Sequence, residues 1–161
     1  MKKVILLDID GVVNSEINQD DNFRKGRWST HNLIMDPEAM ACLKEIVDKT
    51  GAEIILSSTW RYPDEDGSFA SKENFVKQLF DFGMFLTGET PQLQEYDRAA
   101  EILTYLNEHP EVTHFVILDD DLDLVKNKEL RPHLLHTNYQ IGLVKSEISE
   151  AIAILNKERN R

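Results

Sequence analysis

The sequence predicts an α/β domain built on a mostly parallel sheet with helices on both faces. Three observations carry that expectation. Short apolar runs end abruptly in polar residues, helix-periodic segments alternate with them, and caps and glycine stops separate the two kinds. No repeat or low-complexity tract interrupts the alternation, so 1–161 reads as one domain.

Lys2 to Asp8 is too short an apolar run for a helix and fits a strand buried on both faces. Asn14 to Met35 is polar and aperiodic, and reads as an excursion over the surface. Asp36 followed by Pro37 is a helix start, Met40, Leu43, Ile46 and Val47 recur at helical spacing, and Gly51 is the stop. Ala52 to Ser57 repeats the first strand's form and ends in Ser57-Ser58-Thr59. Ser71 is the expected cap of a helix bearing Phe75, Leu79 and Phe80, with Gly83 at its end and a short strand near Met84 to Thr87. Asp97 caps a helix carrying Ile102, Leu103 and Leu106, with Pro110 beyond it. His114 to Asp119 is a third apolar run ending in acids. A short strand around Leu134 and Leu135 and a helix with Ile148, Ala151, Ile152 and Leu155 complete the chain.

Composition narrows the function. A formal charge of -11 opposes broad, non-specific adhesion to nucleic acid or anionic membrane, since such binding draws on clustered Lys and Arg. No stretch approaches the ~20 apolar residues of a membrane span, and Asp8 and Asp10 break the first apolar run before a signal-peptide core develops. The single cysteine, Cys42, falls in a helical pattern and reads as a structural thiol. A cytoplasmic setting is the expectation. The five histidines show no ligand spacing.

Ligands of parallel α/β sheets bind beyond the carboxyl ends of the strands. Asp8 with Asp10, Ser57 to Thr59, and Asp119 to Asp121 all fall at such ends, so clusters far apart in the chain would meet on one edge. Asp8-Ile9-Asp10-Gly11-Val12 resembles the first motif of haloacid dehalogenase-type (HAD) phosphatases, Ser57 the second, and Asp119-Asp120 the fourth, in the same order across nearly the whole chain. Leu56-Ser57-Ser58-Thr59-Trp60-Arg61 and Ile117-Leu118-Asp119-Asp120-Asp121 look most like the phosphatase domains of RNA-repair proteins.

The resemblance implies a three-layer α/β/α, Rossmann-like HAD core with small cap insertions only, over 14–35 and 62–97. It implies Asp8 as a nucleophile that becomes an aspartyl phosphate and Asp10 as acid/base. Ser57 and Ser58 would bind phosphate. Asp8, the Asp10 main chain, Asp119 and Asp120 would hold Mg²⁺, because like charges at ~4 Å cost roughly 4 kcal/mol per pair even at a dielectric of 20. Asp121 and Asp123 read as helix-start caps or outer acids. The family usually has a lysine upstream of the last acids; Arg98 stands there instead, and a guanidinium grips phosphoryl oxygens bidentately. Lys72 and Lys77 are the alternatives.

Arg24, Arg27, Trp28, Trp60 and Arg61 are candidate substrate contacts through phosphate gripping and base stacking. A solvated loop anchored by Trp28, and Trp60 as packing, remain open beside that. The expected activity is Mg²⁺-dependent phosphomonoester hydrolysis, on nucleic-acid 3′-phosphates or nucleotides. A small-metabolite phosphatase and a non-catalytic Mg²⁺ or phosphate-binding regulatory domain are the competing readings, and a monomer is expected.

Overall fold

The computed structural model describes residues 1–160. In chain order the elements are β1 (Lys2–Leu7), α1 (Glu16–Arg24), α2 (Pro37–Thr50), β2 (Glu53–Leu56), α3 (Ala70–Asp81), β3 (Leu86–Glu89), α4 (Arg98–Glu108), β4 (Val112–Asp119), α5 (Leu122–Lys126), β5 (Leu134–His136) and α6 (Ile148–Leu155). The five strands form one sheet in the order β3-β2-β1-β4-β5, and every pairing is parallel. The chain therefore leaves β3 at one edge and re-enters beside β1 as β4, making the β1/β4 boundary the topological switch point where such sheets bind ligands.

Alternation along the strands sorts the core into two layers. Ile5, Leu7, Ile54, Leu56, Val116 and Leu118 face α2, α3 and α6, whereas Val4, Leu6, Ile55, Phe115 and Ile117 face α4 and α5. Val4 to Leu7 have 0% exposure, and each side chain contributes roughly 1.5–3 kcal/mol by its burial. The central strand is apolar on both faces because helices cover both.

The predicted helix starts hold at α2 and α4. Asp36 accepts from the Glu38 N–H at 3.0 Å and Asp97 from the Ala100 N–H at 3.1 Å, while Gly51 ends α2 at φ 66°. Ser71 is not the cap of α3. It lies inside the first turn, buried, and the acceptor at that helix start is Asp64, which takes the Ser71 N–H at 3.0 Å and the Ser71 Oγ–H at 2.5 Å. A distant carboxylate thus replaces the local hydroxyl.

These bonds with Ser71 hold the Asp64 carboxyl below its ordinary 3.8, with His31 Nε2 at 3.3 Å adding to them. A folded pKa below the unfolded one gives stability that is present above the unfolded value and lost as pH falls through the folded value. Asp64→Asn should therefore lower Tm at neutral pH, and the gap to wild type should close under acid, as thermal melts across pH will show.

The excursion over 14–35 contains α1, which the sequence reading missed. Ser15 caps it through its Oγ, but its two large apolar residues, Ile17 and Phe23, are 62% and 67% exposed. Side-chain amides hold it instead of an apolar face. Asn18 and Asn22 both donate to the Ile34 carbonyl, at 2.8 and 2.9 Å, and α3 anchors the following loop through Asn74 and Gln78 to the Leu33 carbonyl.

The second insertion is narrower than 62–97, because α3 covers the sheet and β3 extends it; only 62–69 and 90–97 lie outside those elements and their turn. Cys42 is buried, and that burial and nearby acids push its thiol up, as befits a structural role. Among the described residues no helix is long and apolar enough to cross a membrane.

Candidate active site

The carboxyl ends of β1, β2 and β4 are tied into register by main-chain bonds. Ser57 N–H donates to the Leu7 carbonyl at 2.9 Å, and Asp8 N–H to the Leu118 carbonyl at 3.0 Å. This sets Ser57, Asp8 and Asp119 side by side just where the apolar strands run out. Asp8 is 6% exposed and Asp119 0%. Carboxylate oxygens of Asp8, Asp119 and Asp120 lie within 4.8 Å of one another.

Among the described residues, one cation pairs with this cluster. Arg98 is the first residue of α4, and its Nη1 lies 2.5 Å from Asp119 Oδ2 and 3.4 Å from Asp8 Oδ1. Burial works against its charge, but Asp119 and Asp8 outweigh that and raise its pKa. A single guanidinium does not balance three acids. Burial, then Asp119, lifts the Asp8 carboxyl well above its ordinary value despite Arg98; burial also raises Asp119 and Asp120. An all-oxygen, electron-rich donor set with excess negative charge fits a hard divalent cation.

Gly11 gives the cluster room. Its φ is +81°, and a Cβ there would sit 2.3 Å from Asp120 Oδ2. The end of β5 closes the site from below: Thr137 donates its hydroxyl to the Gly11 carbonyl at 2.8 Å and its N–H to the Asp119 carbonyl at 3.1 Å. His136 Nε2 lies 2.9 Å from the Asp120 carbonyl. Asp121 caps α5 through Asp123 N–H, as the sequence led one to expect of an acid in that place.

Ser57 Oγ is buried without a hydrogen-bond partner among the described residues. An unmade buried hydrogen bond is costly, and an anion beside Asp8 would satisfy it. The family described as HAD domain in Swiss Army Knife RNA repair proteins matches residues 4–148. The chain belongs to this family. Among curated proteins and solved structures nothing matches it. Membership of this HAD family suggests a phosphatase-type hydrolase, and the acidic cluster is compatible with one.

Two expected substrate contacts have other work in this HAD domain. Arg61 is 4% exposed, and its guanidinium donates to the carbonyls of Ser57 and Ser58, both at 2.8 Å, to those of Thr90 and Pro91, and to Glu101. With its donors engaged inside, it is not a substrate contact but the strut between the Ser57 loop and α4. Trp60 is 6% exposed and offers no face for stacking; its Nε1–H donates to Asp10 Oδ2 at 3.1 Å. Ser58 Oγ accepts from the Trp60 N–H at 3.2 Å, so that hydroxyl caps the turn Thr59–Arg61.

Arg24 and Trp28 are exposed on and after α1, and Trp28 pairs with Phe23 at 6.1 Å between ring centroids. Arg27 Nε donates to Asn22 Oδ1 at 2.6 Å. Lys72 pairs with Glu89 at 3.2 Å and Lys77 is exposed on α3, whereas Arg98 lies against Asp8 and Asp119.

Asn14, Glu101 and Thr137 escaped the sequence reading. Asn14 donates to Asp10 Oδ1 at 2.8 Å. A signal existed for two of them: Asn14, Asn18 and Asn22 follow Asp10 at four-residue intervals, and Thr137 comes just after a predicted strand. Glu101 had none, since it sits on a helix where an acid is ordinarily solvated.

Proposed function

We propose that the chain is a Mg²⁺-dependent phosphomonoesterase that works through an aspartyl phosphate on Asp8 and acts on terminal phosphates of nucleic acid. The observation that carries this is the meeting of Asp8, Asp119 and Asp120 with Arg98 and the partnerless Ser57 hydroxyl at the switch point of the sheet.

In the first step a carboxylate oxygen of Asp8 attacks phosphorus, the ester P–O bond breaks, and Asp10 gives the departing oxygen its proton. In the second, Asp10 takes a proton from a water whose oxygen attacks phosphorus, and the P–O bond to Asp8 breaks, releasing inorganic phosphate and restoring the Asp8 carboxylate. Arg98 and Ser57 stabilise the charge on the non-bridging oxygens. Asp8, Asp119, Asp120 and the Asp10 carbonyl would hold Mg²⁺, which when bound offsets the charge of the carboxylates and the phosphoryl group.

For the substrate, the RNA-repair relation and the exposed Phe23–Trp28 pair with Arg24 support a nucleic-acid end in preference to a small metabolite. Short insertions over 14–35, 62–69 and 90–97 would leave the site open to such an end. The overall charge of -11 would confine contact to that local patch.

A panel of oligonucleotide 3′-phosphates, 5′-phosphates, mononucleotides and sugar phosphates, assayed with and without Mg²⁺, tests the reading. Preference for sugar phosphates would remove nucleic acid as the substrate, and metal-independent turnover would remove the Mg²⁺ assignment. Gly11→Ala should push Asp120 aside and weaken the metal requirement's apparent affinity by about 10–100-fold, read from activity against Mg²⁺ concentration.

A further inference from the structure

The geometry points to Trp60 and Asn14 as positioning residues for Asp10, with Asn18 setting the orientation of Asn14; the inference rests on Asp10 being the acid/base proposed above. Asp10 is exposed, on a turn beyond β1 in which the N–H groups of Val12, Val13 and Asn14 all donate to the Ile9 carbonyl. A carboxylate that must meet a leaving oxygen at hydrogen-bond distance needs a fixed direction, and misplacement by about 1 Å can cost on the order of 100-fold.

Two donors supply the direction, one on each oxygen. Asn14 Nδ2 lies 2.8 Å from Oδ1 and Trp60 Nε1 lies 3.1 Å from Oδ2. Indole nitrogen only donates, so its sole use here is to hold an acceptor. The Trp60 ring is in the core, and the next residue is the fully engaged Arg61, so this donor does not move. An ionised carboxylate has about four lone-pair sites; two donors leave two for the proton and the substrate.

The amide of Asn14 faces Asp10 nitrogen-first for a reason. Asn18 Nδ2 donates to Asn14 Oδ1 at 2.9 Å, which occupies the oxygen side and turns the NH₂ towards Asp10. Asn18 also donates to the Ile34 carbonyl at 2.8 Å. The polar helix α1 therefore has a use: it carries the back support of the Asp10 clamp.

The test uses leaving groups. kcat/KM reports events up to phosphorylation of Asp8, where Asp10 acts as acid. 4-Nitrophenolate leaves without a proton, whereas an alkoxide needs one, and general-acid help is worth about 10²–10⁴-fold. Trp60→Phe, which keeps the ring and deletes the N–H, should lower kcat/KM for an alkyl phosphate by about tenfold or more and leave 4-nitrophenyl phosphate within about twofold. Asn18→Leu, which does not touch Asp10, should show the same split to a smaller degree and serves if the Trp60 variant does not fold. In an Asp10→Asn background, Trp60→Phe should add less than about twofold, since its route to the reaction is gone.

Equal losses on both esters, or losses that add to those of Asp10→Asn, would overturn the inference while the phosphatase reading stands. A wild-type protein that turns over neither ester nor an oligonucleotide terminal phosphate overturns that reading and this inference with it.

Discussion

Asp8→Asn is expected to lose phosphatase activity by on the order of 10⁴-fold or more while the metal-free protein becomes harder to melt. The two effects share a cause. Asp8 is nearly out of contact with water, beside Asp119 and Asp120, and burial and those neighbours hold its carboxyl well above its ordinary value. The ionised form is thus disfavoured in the fold, and a neutral amide of the same shape relieves it. The amide is no nucleophile towards phosphorus. Removing strain at a site that function requires is a common route to a stabler, inactive protein. Melts of wild type and variant, with and without Mg²⁺, separate the parts: Mg²⁺ should raise Tm of the wild type by mass action and do less for Asp8→Asn. Undiminished turnover in the variant would remove Asp8 as the nucleophile.

The largest loss of stability should come from Arg61. Breaking a buried ion pair from one side costs about 3–5 kcal/mol because the remaining charge stays buried. Arg61→Ala leaves Glu101 in that state, at 1% exposure, and also strips donors from the carbonyls of Ser57, Ser58, Thr90 and Pro91. For a domain of this size that corresponds to a fall in Tm of roughly 10 °C or more. Arg61→Lys should rescue little, since an ammonium does not reproduce a planar fork that reaches several carbonyls at once. Activity should fall further than stability alone requires, measured well below Tm. The same guanidinium holds the Ser57 loop against α4, which carries Arg98. If Arg61→Ala melted like wild type, the strut would be no strut.

Much of this domain is legible from residues near one another in the chain. Buried strands must be apolar, so the first polar residue after each run marks where the chain comes up at the sheet edge; Asp8, Ser57 and Asp119 announce themselves that way. Helix starts at Asp36 and Asp97 are local too, since the cap's partner is two or three residues on. Where the partner lies far off, the same reasoning fails. Ser71 looked like a cap, and Asp64 took the position because the preceding loop folds its carboxylate over the helix end.

The sequence by itself therefore determined the layers, the strand ends and the set of acids, because hydrophobic periodicity and capping act over one or two turns of chain. Tertiary structure alone decided what Trp60, Arg61 and the asparagines of α1 do. Packing was open for Trp60 from the sequence, but its acceptor was not; Arg61 read only as a neighbour of the site, and α1 had no apolar face to reveal it. Their roles come from the acceptors they meet: Asp10, Glu101 and the Ile34 carbonyl. A buried donor must find an acceptor, but which one it finds is set by how the elements pack.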